Sequence, residues 1–305
     1  MRAVCIGECM VEMRREGDLY ARAFAGDACN VAVYLKRSFP ELEVQFLTAT
    51  GDDSMSRAMR AAWRDEGIDD SLAFTVPRGR PGLYLIELRE GGEREFLYWR
   101  SASAARRWFE LLEQDPLRAR LADADLVYFS GISVAILEPV QQERAIAFLG
   151  KHANRARRLA FDPNFRAALW LDPERARRVL GLGMRTADIV LPSTEDIAAI
   201  YGVSEPREQL GLICGTGADE VAMSLGAGGC LVWNGRAPVT IPAAAAGVVD
   251  TTGAGDAFHG AYLAERLRGS PPDVAARAGV VVASRVVTWP GAIVPASVSH
   301  PKDTS

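Results

Sequence analysis

Short continuous apolar runs, closed by glycine or by an acidic turn, alternate along this chain with segments whose apolar positions recur every three to four residues. Ala3-Val4-Cys5-Ile6-Gly7 is the first such run, and it has the unbroken apolar character of a strand buried on both faces. Glu8 to Glu12 alternate only partly, so the strand should continue toward a more exposed region, and residues 13–24 read as charged and irregular. A helix-period segment opens at Gly26 and runs to about Arg37, with Val31, Tyr34 and Leu35 as its apolar stripe and Asp27 or a neighbour placed to cap it. A strand over Glu43 to Thr48, a helix from about Ser54 to Glu66 and Gly67-Ile68 complete a βαβ-like unit.

The texture then changes. Leu72 to Val76, Gly82 to Leu88 and Arg94 to Trp99 are three strand-like runs joined by Pro/Gly-rich turns, including Glu90-Gly91-Gly92, with no helix between them. They are expected to pair antiparallel as a small sheet on the main body. From about Ser103 the alternation resumes. Strands are expected over Leu126 to Phe129, Arg158 to Asp162 and Asp188 to Leu191, and helices over Gln141 to Asn154, Pro173 to Leu180 and Ser193 to Tyr201. Glu220 to Leu225 and Cys230 to Trp233 flank a Gly-rich loop, and two long helices follow Gly253 and Pro271. The fold class is α/β: a doubly wound, mainly parallel sheet with helices on both faces, plus a small β-sheet. Residues 1–305 form one domain with insertions at about 11–25 and 72–102. In such folds ligands collect at the carboxyl ends of the strands.

Composition excludes some partners. With 35 basic and 39 acidic residues the net charge is −4, without the basic excess of a nucleic-acid binder. No apolar stretch approaches the ~18 residues of a membrane span. The five cysteines form no C-x-x-C pair and no zinc spacing, as in a reduced, cytoplasmic enzyme.

The most informative stretch is Val248-Val249-Asp250-Thr251-Thr252-Gly253-Ala254-Gly255-Asp256-Ala257-Phe258. It reads as a short buried strand, then Gly253-Ala254-Gly255, then a helix from Phe258 to Leu267. Small residues at a helix start let the backbone approach an anion, while unpaired amides and the positive end of the dipole face it. Asp256 within that positive end is placed to remove a proton from a hydroxyl while charge grows on a phosphoryl group. The rival reading is an ordinary strand–loop–helix turn with a capping Asp.

This string resembles the second signature of the ribokinase-like (PfkB) carbohydrate kinases, and Ala25-Gly26-Asp27-Ala28-Cys29-Asn30 resembles the first, with Ala25 in place of a glycine. The resemblance covers about residues 3–298. It is closest to the 2-keto-3-deoxygluconate kinase branch through Gly7-Glu8-Cys9-Met10-Val11-Glu12, Pro81-Gly82-Leu83-Tyr84, Phe96-Leu97-Tyr98-Trp99-Arg100, Ser130-Gly131-Ile132-Ser133, Phe161-Asp162-Pro163-Asn164-Phe165-Arg166 and Gly291-Ala292-Ile293. The resemblance implies that the small sheet is a lid over the sugar, that Asp256 is the base, and that Gly253, Ala254 and Gly255 complete the anion hole. It assigns Gly26, Asp27, Asn30, Tyr84, Tyr98, Arg100 and Arg166 to the sugar. A keto-deoxy sugar acid carries a carboxylate, which the planar forks of Arg100 and Arg166 suit.

On the ATP side the resemblance implies Asn164, Arg166, Ser193, Ser224, Gly226, Gly229, Gly253 and Gly255. The loop Ser224-Leu225-Gly226-Ala227-Gly228-Gly229 has Ser224 where relatives carry Lys or Arg. Ser193-Thr194-Glu195-Asp196 stands at an N-x-x-E motif, so Asp196 and Glu195 are expected to organise Mg²⁺. A monovalent cation, K⁺, is expected beside Asp250 and Thr252. The resulting expectation is an ATP- and Mg²⁺-dependent kinase for a small sugar acid, with no nucleic-acid or membrane partner, forming a homo-oligomer through the lid. A neutral-sugar kinase and a catalytically inactive sugar-acid sensor are the alternatives.

Overall fold

In chain order the strands are β1 (Arg2–Ile6), β2 (Met10–Glu16), β3 (Leu19–Ala25), β4 (Glu43–Thr50), β5 (Ile68–Asp69), β6 (Ala73–Thr75), β7 (Gly82–Leu88), β8 (Arg94–Trp99), β9 (Leu126–Ser130), β10 (Leu159–Asp162), β11 (Ile189–Val190), β12 (Glu220–Ser224), β13 (Cys230–Trp233) and β14 (Val239–Ile241). This computed structural model describes residues 1–88, 94–153 and 158–301; the turn expected at Glu90-Gly91-Gly92 and the helix end at Asn154 lie outside them. The main sheet runs β14-β13-β12-β11-β10-β9-β1-β4-β5, with β6 also paired to β4. All its pairs are parallel except β12–β13 and β13–β14.

β1 shows why its sequence is unbroken. Val4 and Ile6 enter one core and Ala3 and Cys5 the other, and all four are completely buried. A strand covered on both faces has no polar side.

The helices are α1 (Asp27–Ser38), α2 (Ser54–Asp65), α3 (Trp108–Gln114), α4 (Gly131–Ala135), α5 (Pro139–Ala153), α6 (Pro173–Thr186), α7 (Thr194–Tyr201), α8 (Pro206–Cys214), α9 (Ala254–Arg268), α10 (Pro272–Val286) and α11 (Ala296–Ser299). The core holding Val4 and Ile6 also takes Trp108, Ile146, Val179, Ile197 and Leu210, so α3 and α5–α8 cover that face. Cys29, Trp63, Tyr262 and Ala275 put α1, α2, α9 and α10 on the other. Among the described residues no helix is long and apolar enough to cross a membrane.

Helix α9 is fixed to the sheet by a buried polar network. The Tyr262 hydroxyl donates to Glu220 Oε1 at 2.7 Å, and Arg266 grips the same carboxylate through Nε (2.9 Å) and Nη2 (2.7 Å). The helix that opens at Gly253 is thereby held to β12, the strand that feeds the Gly-rich loop.

The second sheet, β3-β2-β7-β8, is the lid. Three sequence expectations change here. Residues 13–24 are not irregular: β2 and β3 form a hairpin through Gly17, whose φ of +64° suits glycine. The lid is not wholly antiparallel, because β2 and β7 run parallel. Ala73–Thr75 does not belong to it; this strand pairs in parallel with Thr48–Thr50 of the main sheet, so the second insertion starts near Gly82 rather than at 72. A fourth correction concerns Val248 and Val249. They are 64% and 60% exposed and form no strand; the amides of Val249 and Asp250 both donate to Val287 O.

Candidate active site

The carboxyl ends of β1, β9, β10 and β11 and the starts of α1 and α9 meet beneath the lid, around a cavity of about 1020 Å³. Its floor is the start of α9. Gly253 is the N-cap with φ +75°, and a Cβ there would lie 2.6 Å from Ala292 O, so glycine is required for both conformation and space. The amide of Ala254 turns back to Thr251 O. Those of Gly255 and Asp256 belong to the first turn and have no partner within the helix. Asp250 braces this loop from behind: Oδ1 accepts from Thr252 N (2.8 Å) and Oδ2 from Gly291 N (2.6 Å).

Asp256 stands in that first turn, partly buried, with Oδ2 accepting from Asn30 Nδ2 at 2.7 Å. Burial, and then the nearby Asp27 carboxylate, push its pKa up to about 7, while Asn30 and the Arg166 charge pull it down. A carboxylate titrating there is a stronger base than an ordinary Asp, and about half of it is ionised at neutral pH.

Asp27 does not cap α1. Gly26 is the N-cap, and a Cβ at Gly26 would lie 2.3 Å from Glu8 O, which brings the helix start tight against the end of β1. The Asp27 side chain instead accepts from Ser130 Oγ and from Asn164 Nδ2 (2.9 Å), joining the ends of β9 and β10. Gly26 N donates to Asn30 Oδ1 at 3.3 Å, so Asn30 bridges the first signature to Asp256.

On the lid side, Tyr84, Tyr98 and Arg100 line the cavity. Tyr84 donates to Glu12 and is buried; burial and the Glu12 charge raise its pKa. Tyr98 is 52% exposed. Arg100 is paired through Nη2 with Glu8, which is 1% exposed. Burial raises the pKa of Glu8 against the pull of Arg100. Arg166 enters from the floor, half-exposed, donating to Phe165 O (2.8 Å) and lying 3.6 Å from Asp196.

Toward β11 and β12, Ser193 caps α7 by accepting from Asp196 N (3.0 Å) and bridges in parallel to Ser224. Asp196 accepts from Phe165 N at 2.9 Å; burial raises its pKa against the Arg166 charge. Gly226 (φ +56°) and Gly229 (φ +94°) shape the loop, with Glu195 lying beside Gly226. Ser193, Glu195, Asp196, Ser224, Thr252, Gly253 and Gly255 line the cavity, whereas Ala254, Gly226, Gly229 and Asp250 do not.

The sequence left Glu8, Glu12, Asp162 and His259 without a role, although Glu8, Asp162 and His259 line the cavity and Glu12 accepts from Tyr84, which does. For the three acids, their place within the quoted motifs at strand ends was the available signal; His259 had none.

A family model, pfkB family carbohydrate kinase, matches residues 2–298. The chain belongs to the pfkB family of carbohydrate kinases. It is 37% identical over 296 residues to the 2-dehydro-3-deoxygluconokinase of Escherichia coli (strain K12), covering 95% of this chain and 96% of that one. The crystal structure of a PfkB protein from Polaromonas sp. JS666 superposes with a TM-score of 0.84 at 26% identity, over 94% of this chain and 96% of that one. The fructokinase of Vibrio cholerae O395, solved with fructose, ADP and calcium bound, aligns with a TM-score of 0.81 at 25% identity, over 95% and 94%. The doubly wound sheet with its lid is therefore the ribokinase-like fold expected from the motifs.

Proposed function

We propose that this kinase transfers the γ-phosphoryl of ATP to the C6 hydroxyl of 2-keto-3-deoxygluconate, giving 2-keto-3-deoxy-6-phosphogluconate. One observation carries the reading: Asp256, raised to about 7, lies at an anion-binding helix start on the floor of a cavity into which Arg100 and Arg166 also project. The identity to the Escherichia coli enzyme over almost the whole chain supports the same substrate.

Asp256 takes the hydroxyl proton as the oxygen forms its bond to the γ-phosphorus in line with the departing ADP oxygen. The first-turn amides of Gly255 and Asp256 receive the developing charge. Asn30 orients the base, and Asp27 and Gly26 hold sugar hydroxyls. The buried Asp196 and neighbouring exposed Glu195, both on the nucleotide side, fit as holders of a hydrated Mg²⁺, which when bound offsets phosphate charge. A monovalent cation such as K⁺ beside Asp250 and Thr252 belongs to the same reading, and a potassium titration of turnover tests it.

A coupled ADP-release assay with 2-keto-3-deoxygluconate, its galacto epimer, fructose and ribose tests the substrate. Preference for the first supports the proposal, and preference for fructose or ribose overturns it. One observation favours the neutral-sugar reading: Glu8 already offsets the charge of Arg100, which leaves Arg166 as the cation less committed to a buried partner. We place the enzyme in the cytoplasm, where ATP is available and its cysteines remain free. It also forms a homo-oligomer through the outer lid face, where Leu83 opposes Trp99 and Leu85 opposes Leu97 away from the cavity. Light scattering of Trp99→Glu beside the unmodified chain tests this assembly.

A further inference from the structure

His259 follows Asp256 by three residues on α9, so the two side chains leave the same face of the helix. It is 5% exposed, and its Nδ1 has no hydrogen-bond partner. Nδ1 lies 3.5 Å from Asp162 Oδ2, and Asp162, Asp256 and His259 each offer one ligand atom within 4.8 Å of the other two. Each acid is also held by one amide donor, which fixes its orientation beside the imidazole. Asn164 N takes Asp162 Oδ1 at 3.0 Å, and Asn30 Nδ2 takes Asp256 Oδ2 at 2.7 Å. The ligands also stand on rigid elements, one at the end of β10 and two on the first turns of α9.

We infer that Asp162, Asp256 and His259 form a site for a divalent transition-metal ion, Zn²⁺ by preference, which when filled blocks phosphoryl transfer. One imidazole nitrogen and two carboxylates are a donor set that suits zinc, whereas Mg²⁺ favours all-oxygen, largely hydrated sites. A buried neutral imidazole needs no proton removed before it binds a metal. Asp27 and Asp196 add negative charge around the same space and Arg166 opposes it, so the surroundings favour a cation. Closing the three atoms onto one ion requires them to approach by about 1 Å, within the reach of side-chain torsions. The ion would engage the carboxylate that must accept the sugar's proton, hence the inhibition. The site itself stands on geometry; the inhibition rests on the reading of Asp256 as the base.

Chelator-treated full-length enzyme, without nucleotide, is titrated with Zn²⁺ by equilibrium dialysis, and turnover with Mg²⁺-ATP is measured at buffered free Zn²⁺. One Zn²⁺ per chain is expected, with affinity lowered about tenfold or more in His259→Asn and in Asp162→Asn. Inhibition should weaken in parallel in His259→Asn. Two variants guard against misfolding of one, and Co²⁺ spectra without thiolate charge-transfer bands separate this site from the cysteines. Absence of zinc binding, or equal affinity in both variants, overturns the site. Zinc bound at the site with turnover undiminished keeps the site and refutes Asp256 as the base.

Discussion

Asp256→Asn is the substitution that separates the chemistry of the site from its cost. A carboxyl titrating near 7 in the folded chain and near 3.8 when unfolded holds a proton through that window which the unfolded chain has released. The group's folded pKa is raised, so stability is fullest below 3.8 and falls as pH climbs toward 7. At ~1.36 kcal/mol per pH unit the loss approaches about 4 kcal/mol. This is a ceiling, because the side chain still meets the cavity's solvent. Asn carries no such proton. The melting gap between variant and parent should therefore widen from pH 5 to about pH 7 and level beyond. At roughly 1.5 °C per kcal/mol for a chain of this length, a gap of several degrees is expected. Turnover should fall by orders of magnitude with sugar binding retained. Thermal denaturation by circular dichroism across pH 5–9, beside the coupled assay, reads both. A melting gap that is constant with pH would show that Asp256 pays no burial cost, and near-parental turnover would remove it from the mechanism.

The acid limb of kcat/KM should fall near pH 7; Asp27→Asn should move it to lower pH by removing a repelling charge, and Asn30→Ala to higher pH by removing a donor to the carboxylate. Arg166→Ala and Arg100→Ala should raise KM for the sugar acid far more than for ATP, and equal effects on both would count against a carboxylate anchor. Arg100→Ala should also lower stability by about 3 kcal/mol in a denaturant titration, because Glu8 loses the partner of a buried charge. Gly253→Ala should cost about 2 kcal/mol and most of the turnover, since it combines a positive φ with a contact against Ala292 O.

The parallel core could be read from the sequence because burial on both faces leaves a local mark: Ala3 to Ile6 and Leu126 to Phe129 are unbroken apolar runs. Gly253 to Asp256 was legible for a similar reason, since a positive-φ cap followed by a first-turn acid is a short-range arrangement. The lid hairpin was not. Arg15 and Glu16 are exposed at its tip, and β2 gains its other ladder only from β7, some seventy residues later. Leu72 to Val76 has the same local texture as the lid strands, and only the place of its partner, β4, decides where it goes. Val248-Val249 has the residues of a strand but no neighbouring strand to pair with. Glu8 and Glu12 gain meaning only from Arg100 and Tyr84, 92 and 72 residues away.

The brace behind the anion hole comes from the last part of the chain. Gly291 N closes onto Asp250, Ala292 packs on Gly253, and the Tyr34 hydroxyl donates to Ala292 O (2.7 Å) while accepting from Val294 N (3.1 Å). During synthesis these residues leave the ribosome long after the lid, both sugar signatures and α9 have emerged. A nascent chain can thus bring Asp27, Asn30 and Asp256 together before the loop at Gly253 is braced. Under the proposed function, cleavage before Gly291 would remove that brace and should abolish phosphoryl transfer while leaving Asp27 and Asn30 in place.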